Sequence, residues 1–392
     1  MTDLEKKALL PAGLRDILPP EAGFEGRIRE SLAATFESHG FDRVKPPLVE
    51  FEEGLTSGAG AAVSGDTFRL MDPVSQRMMG VRADMTTQVA RIALTRLSDV
   101  ARPLRLSYTG EVLRVKGTQL RPERQFAQVG AELIGSDSAA ADIEIIAIAI
   151  ESLREIGVPD LSVDLTIPPL VPALMAESDI CDQENTALRD ALNRKDIAAV
   201  RKLGGAQARA LCGLMDATGL ADSALVELAS LTLPEEPTRE LQRLRAVVEG
   251  LGQRLPDLHI TVDPAENRGL EYHTGVAFTF FSRGERGEIG AGGRYIAAMN
   301  GDAGNDNGEP ATGFTLFVDT ILRVLPDPPF APRVYVPVGS EAFGLAALRQ
   351  DGWVTVAGVE TVSDNVAEAK RLGCTHVWST EGPVDVEEGN NL

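Results

Sequence analysis

Cysteine is scarce in this chain: Cys181, Cys212 and Cys374 lie far apart with no metal-ligand spacing. That spacing argues against a disulfide framework or a zinc knuckle and fits reduced thiols in a cytoplasmic protein. Histidine is also sparse. His39, His259, His273 and His376 are scattered, so no metal site is expected. No apolar run approaches the roughly 18 residues that span a bilayer, and no membrane role is expected. The opening MTDLEKKALLPAGL carries charge without an apolar core and small-residue cleavage site, so no signal peptide is expected. The motifs G-x-x-x-x-G-K-[ST], H-E-x-x-H and G-x-S-x-G are missing, so the chain taken alone offers no catalytic motif. Basic residues are in deficit, 38 Lys and Arg against 58 Asp and Glu, for a net charge of −20. Phosphate-backbone binding depends on clustered cations. Nucleic acid is therefore not an expected partner, and the acidity fits small-molecule or protein partners.

What is present reads as a soluble globular protein with 43% hydrophobic and 24% charged residues. Its 392 residues call for two or three units with sizeable cores. Phe24, Ile28, Leu32 and Phe36 recur every four residues, the mark of an amphipathic helix, and Gly40 is a natural cap. The stretch 41–50 reads as a strand interrupted by Pro46 and Pro47, which places it at an edge or an interface. A hairpin is expected over 68–81. A helix follows Arg82-Ala-Asp84-Met85-Thr86, and Asp84 taken by itself reads as its N-cap. Strands over 104–108, 111–115 and 125–134 precede a helix over 139–156. Strands then helices, without regular βαβ alternation, predict an α+β domain with a mostly antiparallel sheet.

From 168 to about 255 the composition turns to Ala, Leu, Glu and Arg, predicting an all-helical insertion clearest over 186–193, 206–218 and 238–251. The sheet resumes at 259–262. A helix is expected over 313–325, and a proline-rich linker from Pro326 to Pro332 ends the first domain, 1–325. Residues 333–392 alternate as a small βαβαβ unit with a parallel sheet, followed from Glu381 by an acidic tail expected to lack structure.

The stretch 266–300 draws the polar residues together. Arg268, Tyr272 and His273 open it, an apolar strand follows, and the chain returns through Gly290-Ala-Gly-Gly to Arg294 and Tyr295. Two polar clusters joined by a hairpin present several side chains to one small charged ligand.

Set in order, four segments carry a resemblance. They are Gly40-Phe41 through Pro46-Pro47 and Glu50; Arg82 to Thr86; Tyr108 through Arg114 to Gln125-Phe-Ala-Gln-Val-Gly130 and Glu132; and Arg268-Gly-Leu-Glu-Tyr272 with Gly292-Gly-Arg-Tyr295. From about residue 10 to 325 the chain resembles the catalytic core of histidyl-tRNA synthetase. The resemblance implies a class II aminoacyl-tRNA synthetase-like antiparallel sheet core with a helical insertion. The unit after 333 looks like a truncated relic of an anticodon-binding domain. The resemblance also implies a histidine-binding set: Asp84, Met85, Thr86, Arg114, Gln128, Glu132, Arg268, Tyr272, His273 and Tyr295, with His273 where the family usually has tyrosine. Carboxylates can receive an ammonium and imidazole N–H groups, and an arginine can clamp a carboxylate.

Three departures fall on the ATP-binding motifs of that family. Lys116 stands where a glutamate helps hold ATP, Phe317 where a glycine lets the backbone approach, and Thr320 where an arginine grips phosphates. A site that cleaves ATP needs that cation against developing charge, so no catalytic residue and no cofactor are expected. One family combines this core with lost ATP motifs and a shortened C-terminal domain, the regulatory subunits of short-form ATP phosphoribosyltransferase. The resemblance implies a self-dimer assembling with separate catalytic subunits in a hetero-octamer, supporting their activity and transmitting feedback inhibition by histidine. An authentic histidyl-tRNA synthetase, or a paralogue binding another amino-acid-like ligand, are the alternatives.

Overall fold

A computed structural model describes residues 8–56, 65–118, 121–176, 182–266, 272–298, 308–327, 330–341 and 343–387, without the side chains of 182–185. Two compact units are present, Met1–Leu325 and Pro326–Leu392.

The first unit is built on a nine-stranded sheet, in the order β1-β5-β6-β12-β11-β10-β7-β9-β8. Its strands are β1 (Asp42–Arg43), β5 (Leu104–Leu113), β6 (Gln125–Ile134), β7 (Leu161–Thr166), β8 (Gly219–Leu220), β9 (His259–Val262), β10 (His273–Ser282), β11 (Gly290–Ala297) and β12 (Glu309–Phe317). Pairing is antiparallel except at β1–β5 and β7–β9. A second sheet, β2-β4-β3, is formed by β2 (Val49–Phe51), β3 (Phe68–Met71) and β4 (Met78–Val81). A mixed α and β architecture with a large, mostly antiparallel central sheet is what the chain adopts, as the resemblance implies.

One face of the large sheet is covered by the helix Ala139–Glu155, where Ile145 through Ile150 are all fully buried. That continuous apolar run has no polar side because the helix Glu235–Arg254 packs over it. Gly250 permits the approach, since a Cβ there would overlap Ile143. The N-terminal helix Glu21–Ser38 buries Ile28, Leu32 and Phe36 and ends before Gly40, at φ +82°. The opposite face carries the helix Thr86–Thr95, and between them lies a cluster holding Met85, Val89, Tyr108, Phe126, Tyr295 and Phe317.

Several sequence expectations are corrected. The proline-interrupted stretch 41–50 is two strands in two different sheets, because Pro46 and Pro47 cannot continue one ladder. Their carbonyls are used instead: Arg82 Nη1 donates to Pro46 O at 3.1 Å and Gln88 Nε2 to Pro47 O at 2.7 Å. Residues 104–113 form one strand. Gly110 is no turn; it leaves room for the Arg82 guanidinium, which a Cβ would overlap. Residues 313–317 are not helical but finish β12, paired on both sides with β6 and β11, and the helix is Val318–Val324. The segment 168–255 is not entirely helical, since β8 pairs antiparallel with β9 at the sheet's end.

The second unit holds a four-stranded sheet, β14-β13-β15-β16. Its strands are β13 (Arg333–Val336), β14 (Val354–Ala357), β15 (His376–Ser379) and β16 (Gly382–Asp385). Beyond the parallel β13, β14 and β15, the start of the acidic tail folds back as antiparallel β16 through a two-residue turn. Its core is Tyr335, Ala369, Cys374, Val377 and Val386.

Candidate functional site

Strand period and register put one set of polar side chains on the face beneath the helix Thr86–Thr95. Gln128, Gly130 and Glu132 alternate along β6. They lie opposite Phe317, Thr315 and Gly313 of β12, with Tyr108 across from Gly130 and Gly293 across from Gly313. Tyr295 pairs with His273 of β10.

The carboxylates sit at the centre. Glu132 is fully buried; Tyr295 donates to its Oε2 at 3.0 Å and Tyr108 to its Oε1 at 3.4 Å. Tyr108 also shares a 2.7 Å hydrogen bond with Thr315 Oγ1. Asp84 Oδ1 accepts from the Thr86 N–H at 2.8 Å, a turn just ahead of the helix; the N-cap position itself is Met85, not Asp84 as the sequence suggested. Its other oxygen accepts from Gln128 Nε2 at 3.0 Å. Burial pushes the Glu132 carboxyl up to about 8, and the nearby Asp84 charge adds to this despite hydrogen bonds from Tyr295, Thr86 and Tyr108. A neutral buried acid beside a second carboxylate is poised to receive a cation or an N–H donor.

Glycines make the space. A Cβ on Gly313 would overlap Glu132 Oε2, and one on Gly130 would overlap the Tyr108 hydroxyl. On Gly293 it would stand 2.5 Å from His273 Cδ2.

Of the ten residues expected from sequence, Asp84, Thr86, Gln128, Glu132 and Tyr295 come together in this pocket. His273 is buried, its ring 3.9 Å from that of Tyr272, which leaves 37% of its surface exposed at the rim. Met85 is core, fully buried with Val89 and Tyr108. Arg114 stands to one side: Nε lies 3.5 Å from the Ala83 carbonyl, but the side chain lines a neighbouring cavity of about 480 Å³. Arg268 lies outside the described residues. Arg294 points to the opposite face. It is bound by Asp142 at 2.9 and 3.2 Å and by the carbonyls of Ser136 and Ser138, an internal strut with no side toward the pocket. Sequence reasoning missed Tyr108, Thr315, Gly130 and Gly313 as pocket residues. Their signal was the period of two running through Glu132 and Tyr295. Among the described residues no group of three or more His, Cys, Asp or Glu could hold a metal, and no helix is long and apolar enough to cross a membrane.

The histidyl-tRNA synthetase family model matches residues 13–321. A protein of Paramagnetospirillum magneticum described as an ATP phosphoribosyltransferase regulatory subunit is 54% identical over 387 residues, 99% of this chain and 100% of that one. One of Rhodospirillum centenum with the same description is 52% identical, covering 95% of each. Among solved structures, an ATP phosphoribosyltransferase regulatory subunit/histidyl-tRNA synthetase from Bacillus halodurans C matches with a TM-score of 0.77 at 24% identity, over 93% of this chain and 96% of that one. Histidyl-tRNA synthetase from Nostoc sp. PCC 7120 matches with a TM-score of 0.76 at 20% identity, over 94% and 90%. At those identities the two structures speak to the fold.

Proposed function

Because the chain belongs to the family of ATP phosphoribosyltransferase regulatory subunits, we propose that it serves a separate short-form catalytic subunit in the first step of histidine biosynthesis. It has no catalytic activity of its own, supports that of its partner, and carries feedback inhibition by binding free histidine. It self-associates as a dimer and joins the catalytic subunits in a hetero-octamer.

One observation carries this reading: the hydrogen-bonded cluster of Asp84, Gln128, Glu132 and Tyr295 stands near a cavity lined by Lys116 and Thr320, two of the positions at which the resembled family holds ATP. Asp84 and Glu132 receive the ligand's ammonium and ring N–H groups, and Gln128 orients Asp84. Histidine shifts the complex only through unequal affinity for two arrangements of it. Titration calorimetry of the assembled complex with L-histidine tests the reading. Asp84→Ala removes the acceptor of both Gln128 and the Thr86 N–H, and should weaken binding by about 10- to 100-fold while relieving inhibition. Absence of histidine binding, or intact inhibition in that variant, would sink the assignment. Histidine-dependent exchange of pyrophosphate into ATP would instead establish a synthetase. Tight binding of a different amino acid with none of histidine would establish a paralogue.

Affinity should also depend on pH in a defined direction. The free pocket holds Glu132 protonated below about 8, and a cation or N–H donor from the ligand favours its charged form. The bound pKa is therefore the lower one, so binding expels a proton and affinity rises severalfold from pH 7 to 8, then levels. Calorimetry in two buffers of different ionisation enthalpy reads the released proton, and Glu132→Gln should abolish the release.

A further inference from the structure

Two of the three substitutions that separate this chain from an ATP-cleaving core touch the same side chain. Arg121 is only 7% exposed. Its guanidinium carbon lies 3.8 Å from the centre of the Phe317 ring and 5.1 Å from that of Phe126. Its Nη2 reaches Thr320 Oγ1 at 3.5 Å and the Glu288 carbonyl at 3.4 Å. Its Nε faces Asp319 at 3.4 Å. A planar cation seated on an aromatic ring and fixed at its edges is the arrangement a guanidinium favours over an ammonium.

Two of the cations of this cavity, Arg121 and Arg323, are engaged from within. Arg114, Lys116, Arg121 and Arg323 are four cations. Two carboxylates, Glu123 and Glu288, share the lining, while Asp319 and Glu285 engage Arg121 and Arg323 from behind it, the latter at 3.4 Å.

The aromatic pair under Arg121 leads to the amino-acid pocket. Phe317 meets Phe126 edge to face at 6.2 Å, and its backbone partner across β6 is Gln128, the residue that holds Asp84. Arg114 lies on Phe126 at 5.1 Å and reaches the carbonyl of Ala83, next to Asp84. Pocket and cavity thus share one wall.

We infer that Arg121 is a built-in occupant of the lost nucleotide cavity and a positioning residue for the amino-acid pocket, holding that shared wall so that the pocket binds its ligand without ATP. The inference rests on the reading that the pocket takes histidine. Calorimetry of the full-length chain with L-histidine, with and without ATP, tests both. Arg121→Ala should raise the Kd about tenfold, in line with a desolvated cation–aromatic contact. Millimolar guanidinium should restore most of the affinity, whereas urea at equal concentration should not. Phe317→Leu, which removes the ring and keeps the cation, should weaken binding similarly and resist guanidinium rescue. ATP should leave the wild-type Kd unchanged. Unaltered binding in Arg121→Ala would overturn the inference, as would a loss that guanidinium does not repair, or tighter wild-type binding with ATP. If the wild type fails to bind histidine at all, it is the pocket's ligand assignment that falls.

Discussion

Arg294→Ala should destabilise the 1–325 unit by about 3–5 kcal/mol, the cost of leaving one member of a buried ion pair alone. Asp142 is fully buried on the first turns of the helix Ala139–Glu155, and Arg294 supplies both of its guanidinium contacts. Burial holds the Asp142 carboxyl above its ordinary range even with Arg294 in place, so without the arginine the charged form has little support. The same side chain also satisfies the carbonyls of Ser136 and Ser138 leading into that helix. For a unit of this size the midpoint of thermal unfolding should fall by about 4–7 °C. Adding Asp142→Asn removes the stranded charge and should recover part of the loss. A scan showing no shift for Arg294→Ala would refute the strut assignment.

Gly313→Ala should weaken histidine binding strongly and also cost some stability, while leaving the fold in place. The strand is extended there and accepts alanine, but the new methyl group would occupy the position of Glu132 Oε2 and crowd the Ala131 carbonyl. Glu132 must then swing away from Tyr295 and Tyr108. Losing a buried charge-assisted hydrogen bond costs about 1.5–3 kcal/mol, so affinity should drop roughly 10- to 100-fold at the least. Gly23→Ala is the control, because a Cβ there has only the tip of Arg27 within 3.6 Å. Equal titration curves for Gly313→Ala and wild type would show that the ligand does not depend on Glu132.

The polar motifs were legible in the sequence because they are local. Asp84 turns back onto the Thr86 N–H two residues on, and Gln128 and Glu132 share a face by period alone. The pocket's glycines were harder to read. Gly110 falls in the gap between the strands expected over 104–108 and 111–115, yet it leaves room for Arg82, which lies 28 residues earlier. Gly313-Phe-Thr-Leu-Phe317 looked helical because its apolar residues suit either period, and only pairing with both β6 and β11 decides it. Arg294 stands beside Tyr295 in the second polar cluster of 266–300. Neighbouring residues on a strand face opposite ways, so if Tyr295 lines the pocket Arg294 cannot. Arg121 gave no signal of its own, since its partners Phe317 and Asp319 lie almost 200 residues away.

The two residues of β8 make the helical segment impossible to cut out cleanly. They form the outermost rung of the sheet on β9, and Lys195 reaches across to both oxygens of Asp263 at 2.7 Å. A shortened protein lacking 168–255 would present β9 as a bare edge strand and leave Asp263 without its lysine. Such an edge recruits other strands, so the trimmed protein would be sticky before it was informative. Grafting or domain-swap work on this scaffold should therefore carry the segment intact, with its stitch to β9.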